Sequence, residues 1–202
     1  MNYLAIDTSG DLLVALNIGE NFKVKHLVGS QTKHSLTLMP YIEQLLEENN
    51  VTLSELDFFA VVVGPGSFTG IRIGVSTIKA LCYATGKKAL TLTSFDLLAY
   101  ADNSHDKAFC VVDANHDNYY SCAYDNKSIT MSACFLSNEQ IAQNLGDYKI
   151  CAIQECSLPN VTVCDVISGL KNAVKAKASE LVNESEILPL YVKRSQAEEE
   201  CS

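Results

Sequence analysis

Apolar positions along the first hundred residues change period as the chain proceeds. Asn2 to Asp7, Leu12 to Asn17 and Phe22 to Val28 are short runs of β-branched, aromatic and aliphatic residues broken at Ser9-Gly10-Asp11 and Gly19-Glu20-Asn21, which predicts three successive strands. The pattern then moves to Leu38, Ile42, Leu45, Leu46 and Asn49, the spacing of one helical face; Pro40 fits that helix only in its first turn or at a kink. A strand over Phe58 to Val63, a helix from Ile71 to Thr85, a strand over Ala89 to Leu92 and a helix capped by Ser94 complete the order β-β-β-α-β-α-β-α.

The apolar pattern lapses at Asp102-Asn103-Ser104-His105-Asp106, which predicts a seam between an N-terminal lobe, 1–102, and a smaller C-terminal lobe, 103–202. A second series of strands follows at Ala108 to Ala114, Tyr119 to Tyr124 and Ile129 to Phe135. Then come a helix over Asn138 to Leu145, a strand over Tyr148 to Ile153 and a helix over Ser168 to Val182. The second half thus repeats the order of the first. The tail, with Glu198-Glu199-Glu200, reads as frayed.

The segment Val61 to Gly74, V-V-V-G-P-G-S-F-T-G-I-R-I-G, combines a buried-strand signal, a glycine-rich turn and a helix start. A phosphate loop of the Walker type fails on spacing and lacks the lysine. A dinucleotide fingerprint is met only in part, because Gly64, Gly66 and Gly70 are spaced G-x-G-x-x-x-G and Pro65 removes one amide. The structural alternative is that these glycines serve the turn and a close helix contact. In the helix itself Ile71, Val75, Ile78 and Cys82 form a core stripe, flanked by the small residues Gly70, Gly74, Thr77 and Ala84.

Gly64-Pro65-Gly66-Ser67-Phe68-Thr69-Gly70-Ile71-Arg72-Ile73-Gly74 resembles the signature of the TsaB (YeaZ-type) accessory proteins of tRNA threonylcarbamoyladenosine synthesis. Leu4-Ala5-Ile6-Asp7-Thr8-Ser9, Val112-Asp113-Ala114 and Pro189-Leu190-Tyr191-Val192-Lys193 continue the resemblance. It implies an α/β protein of the actin/Hsp70/sugar-kinase (ASKHA) superfold, with two tandem mixed-sheet lobes and packed helices. It also implies a non-catalytic partner of a TsaD-type transferase, with a TsaE-type ATPase joining a larger complex and a homodimer as the alternative pairing. The tRNA would be contacted only indirectly. In such proteins the two helices at 36–48 and 71–85 form the docking face, which makes Met39, Tyr41, Gly70, Gly74, Thr77 and Leu81 the candidate interface. This chain departs from the family pattern at three arginines: Asp-Ala-Arg-Arg reads Asp113-Ala114-Asn115-His116, and the arginine of the terminal Pro-x-Tyr-x-Arg is Lys193, with Arg194 beside it. None of these replacements reproduces a bidentate guanidinium.

Kinases of this superfold carry a D-x-G turn in each lobe, whose glycine lets amides meet phosphate oxygens. Here the turns read Asp7-Thr8-Ser9 and Asp113-Ala114-Asn115, and a non-glycine residue is expected to resist positive φ there. Asp7 and Asp113 are the candidate nucleotide–magnesium residues of an alternative reading, an autonomous kinase-like or hydrolase-like enzyme. Under the accessory reading the chain has no cofactor of its own, and ATP and magnesium enter only in the assembled complex. The metal motif H-x-x-x-H of the catalytic relatives is reduced to His34, with Leu38 in the second place.

Composition adds exclusions. The chain has 202 residues, 48% hydrophobic and 19% charged, with net charge −9, which suits a soluble globular protein and disfavours unaided binding to nucleic acid. No apolar run reaches the ~18–20 residues of a membrane span, and a cytoplasmic protein without a membrane partner is expected. The eight cysteines contain no C-x-x-C pair and read as buried reduced thiols.

Overall fold

A computed structural model describes residues 1–29 and 34–192. The expectations placed on Lys193 and the acidic tail lie outside the described residues. The chain divides into two compact units, each built on one five-stranded sheet.

Unit 1 holds Met1–Thr93 and Val174–Pro189. Its strands β1 (Tyr3–Asp7), β2 (Leu12–Ile18) and β3 (Asn21–Leu27) form the antiparallel meander, and β4 (Phe58–Val62) and β5 (Ala89–Leu92) add in parallel, giving the order β3-β2-β1-β4-β5. All five residues of β1 and of β4 are buried, as their unbroken apolar runs require of strands covered on both faces. Helix α1 (His34–Glu48) packs on β2 and β3, and α2 (Phe68–Thr85) packs on β4. Pro40 lies beyond the first turn of α1, on an exposed position, so the hydrogen bond it removes would fall on the solvent side.

Unit 2 takes Ser94–Ala173, with 190–192. Strands β6 (Lys107–Asp113), β7 (Asn118–Asp125) and β8 (Ser128–Ser137) repeat the meander, and β9 (Lys149–Ala152) and β10 (Thr162–Val163) add in parallel to give β10-β9-β6-β7-β8. Read outward from the first strand of each meander, both sheets have the same order, so the expected repeat is present. Period-two alternation along β6 feeds two cores: Ala108, Cys110 and Val112 face one, Phe109 and Val111 the other. Helices α3 (Ser94–Ala99) and α4 (Asn138–Asn144) pack on this sheet, the first on β6, β7 and β9, the second on β8.

Three local expectations are corrected. The compact units part at Thr93/Ser94 rather than at 102/103, because α3 packs on the second sheet. The last helix, α5, runs Val166–Lys177 and stops short of Val182, whose backbone instead pairs with Ala89 through N–H donations of 2.8 and 3.0 Å. That bridge covers part of the open edge of β5. Strand β10, only two residues long, was not expected at all.

Where α5 crosses α3, a Cβ built at Gly169 would lie 1.9 Å from the carbonyl oxygen of Leu97. A methyl group there meets backbone that cannot swing aside. Gly169→Ala should therefore lower stability by about 3 kcal/mol, read as a fall in the urea midpoint.

Candidate functional site

The end of β1 and the start of α2 are joined by three close approaches. The Ser67 N–H donates to the Ser9 carbonyl at 2.6 Å, and the Thr8 hydroxyl donates to the Gly70 carbonyl at 2.7 Å. A Cβ at Gly66 would lie 2.3 Å from the Ser9 oxygen, one at Gly70 1.9 Å from the Thr8 oxygen, and one at Gly74 2.3 Å from Thr8 Oγ1. Thr8 and Ser9 are buried. The structural reading of the glycines is the one observed: they let the G-P-G-S-F-T-G segment close over Asp7-Thr8-Ser9.

The segment folds this way for local reasons. Gly64 takes φ 109°, which a side chain would resist, and the Gly64–Pro65 peptide is cis. Ser67 is the N-cap of α2, its hydroxyl accepting from the Gly70 N–H at 3.2 Å, which places the helix start three residues earlier than the apolar stripe alone suggests. At the other end Gly86, with φ 69°, donates its N–H to Cys82. The expected core stripe Ile71, Val75, Ile78 and Cys82 is buried.

Asp7 is buried, and its Oδ1 accepts from the Ser9 N–H at 2.7 Å. Burial raises its pKa above the usual carboxylate range, and the Ser9 hydrogen bonds offset this only in part. The register Asp7↔Leu13↔His26 puts His26 on the same sheet face two strands away, and the electrostatic influence of His26 and His34 acts in the lowering direction on Asp7. Asp113, in unit 2, makes the same local bond, from the Asn115 N–H at 2.8 Å, but is exposed. Positive φ is avoided at Ser9, as expected, but not at Asn115, which has φ 66° and is followed by His116 and Asp117 at 54° and 56°. Asparagine tolerates this region better than most residues.

The first turn has little left to offer a phosphate. Its Ser9 amide is held by Asp7, its Ser9 carbonyl by Ser67, and the space above Thr8 by Gly70 and Gly74. Among the described residues no group of three or more His, Cys, Asp or Glu side chains is placed to hold a metal ion. His105 shares a hydrogen bond of 2.9 Å with Thr162, and His116 is exposed in the β6–β7 turn. Of the six candidate interface residues, Gly70, Gly74 and Leu81 are buried within unit 1, Tyr41 and Thr77 are half-buried, and Met39 is exposed. The spacing of small residues indicated a helix open to close approach, but could not show that Thr8 already makes that approach. Phe68 and Tyr83 are also exposed on α2, and the spacing of small residues does not point to them.

The repeated mixed sheets, each a meander extended by parallel strands, define an α/β protein of the actin/Hsp70/sugar-kinase class. Residues 29–200 match the TsaD family, described as tRNA N6-adenosine threonylcarbamoyltransferase, and the chain belongs to that family. Within it the chain is TsaB/YeaZ-like. It is 30% identical over 130 residues to the tRNA threonylcarbamoyladenosine biosynthesis protein TsaB of Bacillus subtilis (strain 168), a match that takes in 63% of this chain and 57% of that protein. It is 28% identical over 130 residues to the tRNA N6-adenosine threonylcarbamoyltransferase of Prochlorococcus marinus (strain MIT 9215), covering 52% of this chain and 36% of that one. YeaZ from Pseudomonas aeruginosa superposes with a TM-score of 0.78 at 25% identity, covering 94% of this chain and 99% of that one. The chain thus spans little more than half the length of the Bacillus relative it matches. Among the described residues no helix is long and apolar enough to cross a membrane.

Two outcomes follow. Gly70→Ala should cost on the order of 3 kcal/mol or more, whereas Gly10→Ala, where a Cβ meets nothing within 4 Å, should leave the denaturation midpoint nearly unchanged. The folded Asp7 pKa is raised above its unfolded value, so the native state holds this proton more tightly. Its contribution is therefore full below the unfolded carboxylate pKa and declines as pH rises through the folded value. Asp7→Asn keeps an oxygen for the Ser9 amide, so it should be at least as stable as the parent at neutral pH and lose this decline, checked by denaturation across pH.

Proposed function

We propose that this protein is a non-catalytic partner of a TsaD-type transferase in threonylcarbamoylation of tRNA, acting in the cytoplasm by forming a heterodimer through α1 and α2. The observation that carries the reading is the set of large apolar side chains exposed on these two adjacent helices of unit 1. Leu36 and Met39 on α1 are 69% and 42% exposed, and Phe68 and Tyr83 on α2 are 46% and 83% exposed. Phe68, Arg72, Ser76, Ala80 and Tyr83 follow one another at helical spacing on the outer side of α2. The Arg72 guanidinium lies 3.8 Å from the Phe68 ring centroid, so the stripe combines an aromatic surface with a cation. Exposed aromatic and aliphatic clusters of this kind mark protein-binding faces.

The filled turn at Asp7 supports the non-catalytic part, since a phosphate would have to displace buried backbone hydrogen bonds. Under this reading ATP and magnesium belong to the assembled complex, a TsaE-type ATPase joins it, and tRNA meets this chain only indirectly. A homodimer through the same face competes with the heterodimer. Met39, Tyr41 and Thr77 are the proposed contact residues from the original six, joined by Phe68 and Tyr83.

The test mixes the protein with its cognate TsaD-type transferase, following complex mass by light scattering and threonylcarbamoyl transfer to tRNA with each protein alone and both together. A one-to-one complex active only when both are present is expected. Met39→Glu combined with Tyr83→Glu should weaken the complex at least tenfold without lowering the thermal midpoint of the isolated chain. A transferase equally active alone, with no complex, overturns the reading; magnesium-dependent ATP turnover by this chain, abolished in Asp7→Asn, would replace it with the enzymatic one.

A further inference from the structure

The outer sides of α1 and α2 carry charge as well as apolar surface, and the charge is sorted by helix. On α1 the residues Leu36, Met39, Pro40, Glu43 and Glu47 recur at helical spacing, and all five are exposed. This stripe begins apolar and ends in two carboxylates. On α2 the stripe from Phe68 to Tyr83 contains one exposed charged residue, Arg72. Acid thus lies on one helix of the face and base on the other.

The two carboxylates do nothing for the helix that carries them. Glu43 and Glu47 stand four residues apart, where like charges repel, and Glu47 lies in the last turn of α1, where the helix dipole favours a cation. No basic residue lies in that turn to compensate. Glu48, next in sequence, shows the contrast: its carboxylate pairs with the Lys25 ammonium at 3.1 Å. Among the described residues neither Glu43 nor Glu47 has an ion pair. On α2 the Phe68 ring, 3.8 Å from the Arg72 guanidinium, restrains that side chain. A guanidinium has five donors in a planar fork, so it can take a carboxylate in addition to the contacts it already makes.

We propose, on the reading that α1 and α2 dock a TsaD-type transferase, that the transferase's face is the charge complement of this one: a lysine or arginine meets Glu43 and Glu47, and a carboxylate meets Arg72. Leu36, Met39, Phe68 and Tyr83 supply the apolar centre of the contact, while the charges steer the encounter and fix its register. Two carboxylates on successive turns give one long basic side chain two acceptors, and its charge relieves their mutual repulsion. A second copy of this chain meets an obstacle that a partner with a basic patch does not. Each copy brings a net charge of −9, so two copies approach against their own field. The charge pattern therefore favours the heterodimer over self-pairing through the same helices.

The experiment measures association and dissociation rates between the full chain and its cognate TsaD-type transferase by biolayer interferometry, at about 50 and about 500 mM sodium chloride. The association rate should fall by ~10-fold or more at the higher salt. Glu43→Lys with Glu47→Lys, and separately Arg72→Glu, should each weaken the complex by ~10-fold or more at the lower salt. Glu20→Lys with Glu155→Lys, and separately Lys88→Glu, make the same changes in net charge at exposed positions outside both helices and should shift the affinity by less than ~3-fold. Every replaced residue is exposed, so the thermal midpoints of the isolated chains should be kept. A wild-type complex insensitive to salt overturns the charge pairing, as do charge variants that bind like the wild type while Met39→Glu with Tyr83→Glu does not; the docking reading then stands. Control variants that weaken binding as much as the face variants also overturn it, because net charge alone is then at work. Failure of the wild-type chain to bind the transferase at all overturns both.

Discussion

The close seating of Gly66, Gly70 and Gly74 on Thr8 and Ser9 is the constraint on which unit 1 depends. Strand β1 is the middle strand of its sheet, and β4, its parallel neighbour, leads directly into the glycine segment. Because the Ser67 amide and Thr8 hydroxyl donate across this contact, α2 is fixed to the end of β1 by hydrogen bonds as well as by apolar packing. The Thr8 hydroxyl is buried, so losing its partner would strand it at a cost of about 1–3 kcal/mol. The glycines matter as absences of volume: each occupies a point where a methyl group would overlap an oxygen.

The same contact decides what the turn can do. An aspartate after the first strand, with its oxygen accepting the amide two residues on, occurs in both units, at Asp7 and at Asp113. The local bond is identical and the surroundings are opposite. Asp7 is buried and has a raised pKa, whereas Asp113 stays in solvent beside a turn of three residues at positive φ. Equal topology therefore does not give equal chemistry. The carboxylate that could best tune a reaction by burial is the one whose neighbouring amides are already taken.

Much of this was legible in residue order. Period-two runs located the two meanders, the triplet of valines marked a strand buried on both faces, and the stripe Ile71, Val75, Ile78 and Cys82 identified the inner side of α2. What escaped notice was non-local. The last helix stops at Lys177, and Val182 instead meets the edge of β5, a partner far away in sequence. The two-residue β10 is too short to show a period. Ser67 announces a helix start only once its hydroxyl is seen on the Gly70 amide. The small flank of α2 carried a correct signal of close approach, but the sequence could not name the approaching group. Thr8, sixty-two residues away from Gly70, is that group.

This last point bears on how α2 can meet a partner. A helix has limited circumference, and here its inner side is divided between the core stripe and the backbone of Thr8. Leu81, 8% exposed, belongs to that inner side, so a charge there would disturb the fold before it could report on association. The outer stripe from Phe68 to Tyr83 has the converse character: its side chains extend from a helix already anchored by the glycine contact. An anchored helix loses little backbone freedom on docking, which lowers the entropic cost of association. The glycine segment thus links the two properties of unit 1, filling the turn at Thr8 and Ser9 while anchoring the helix whose outer side is exposed.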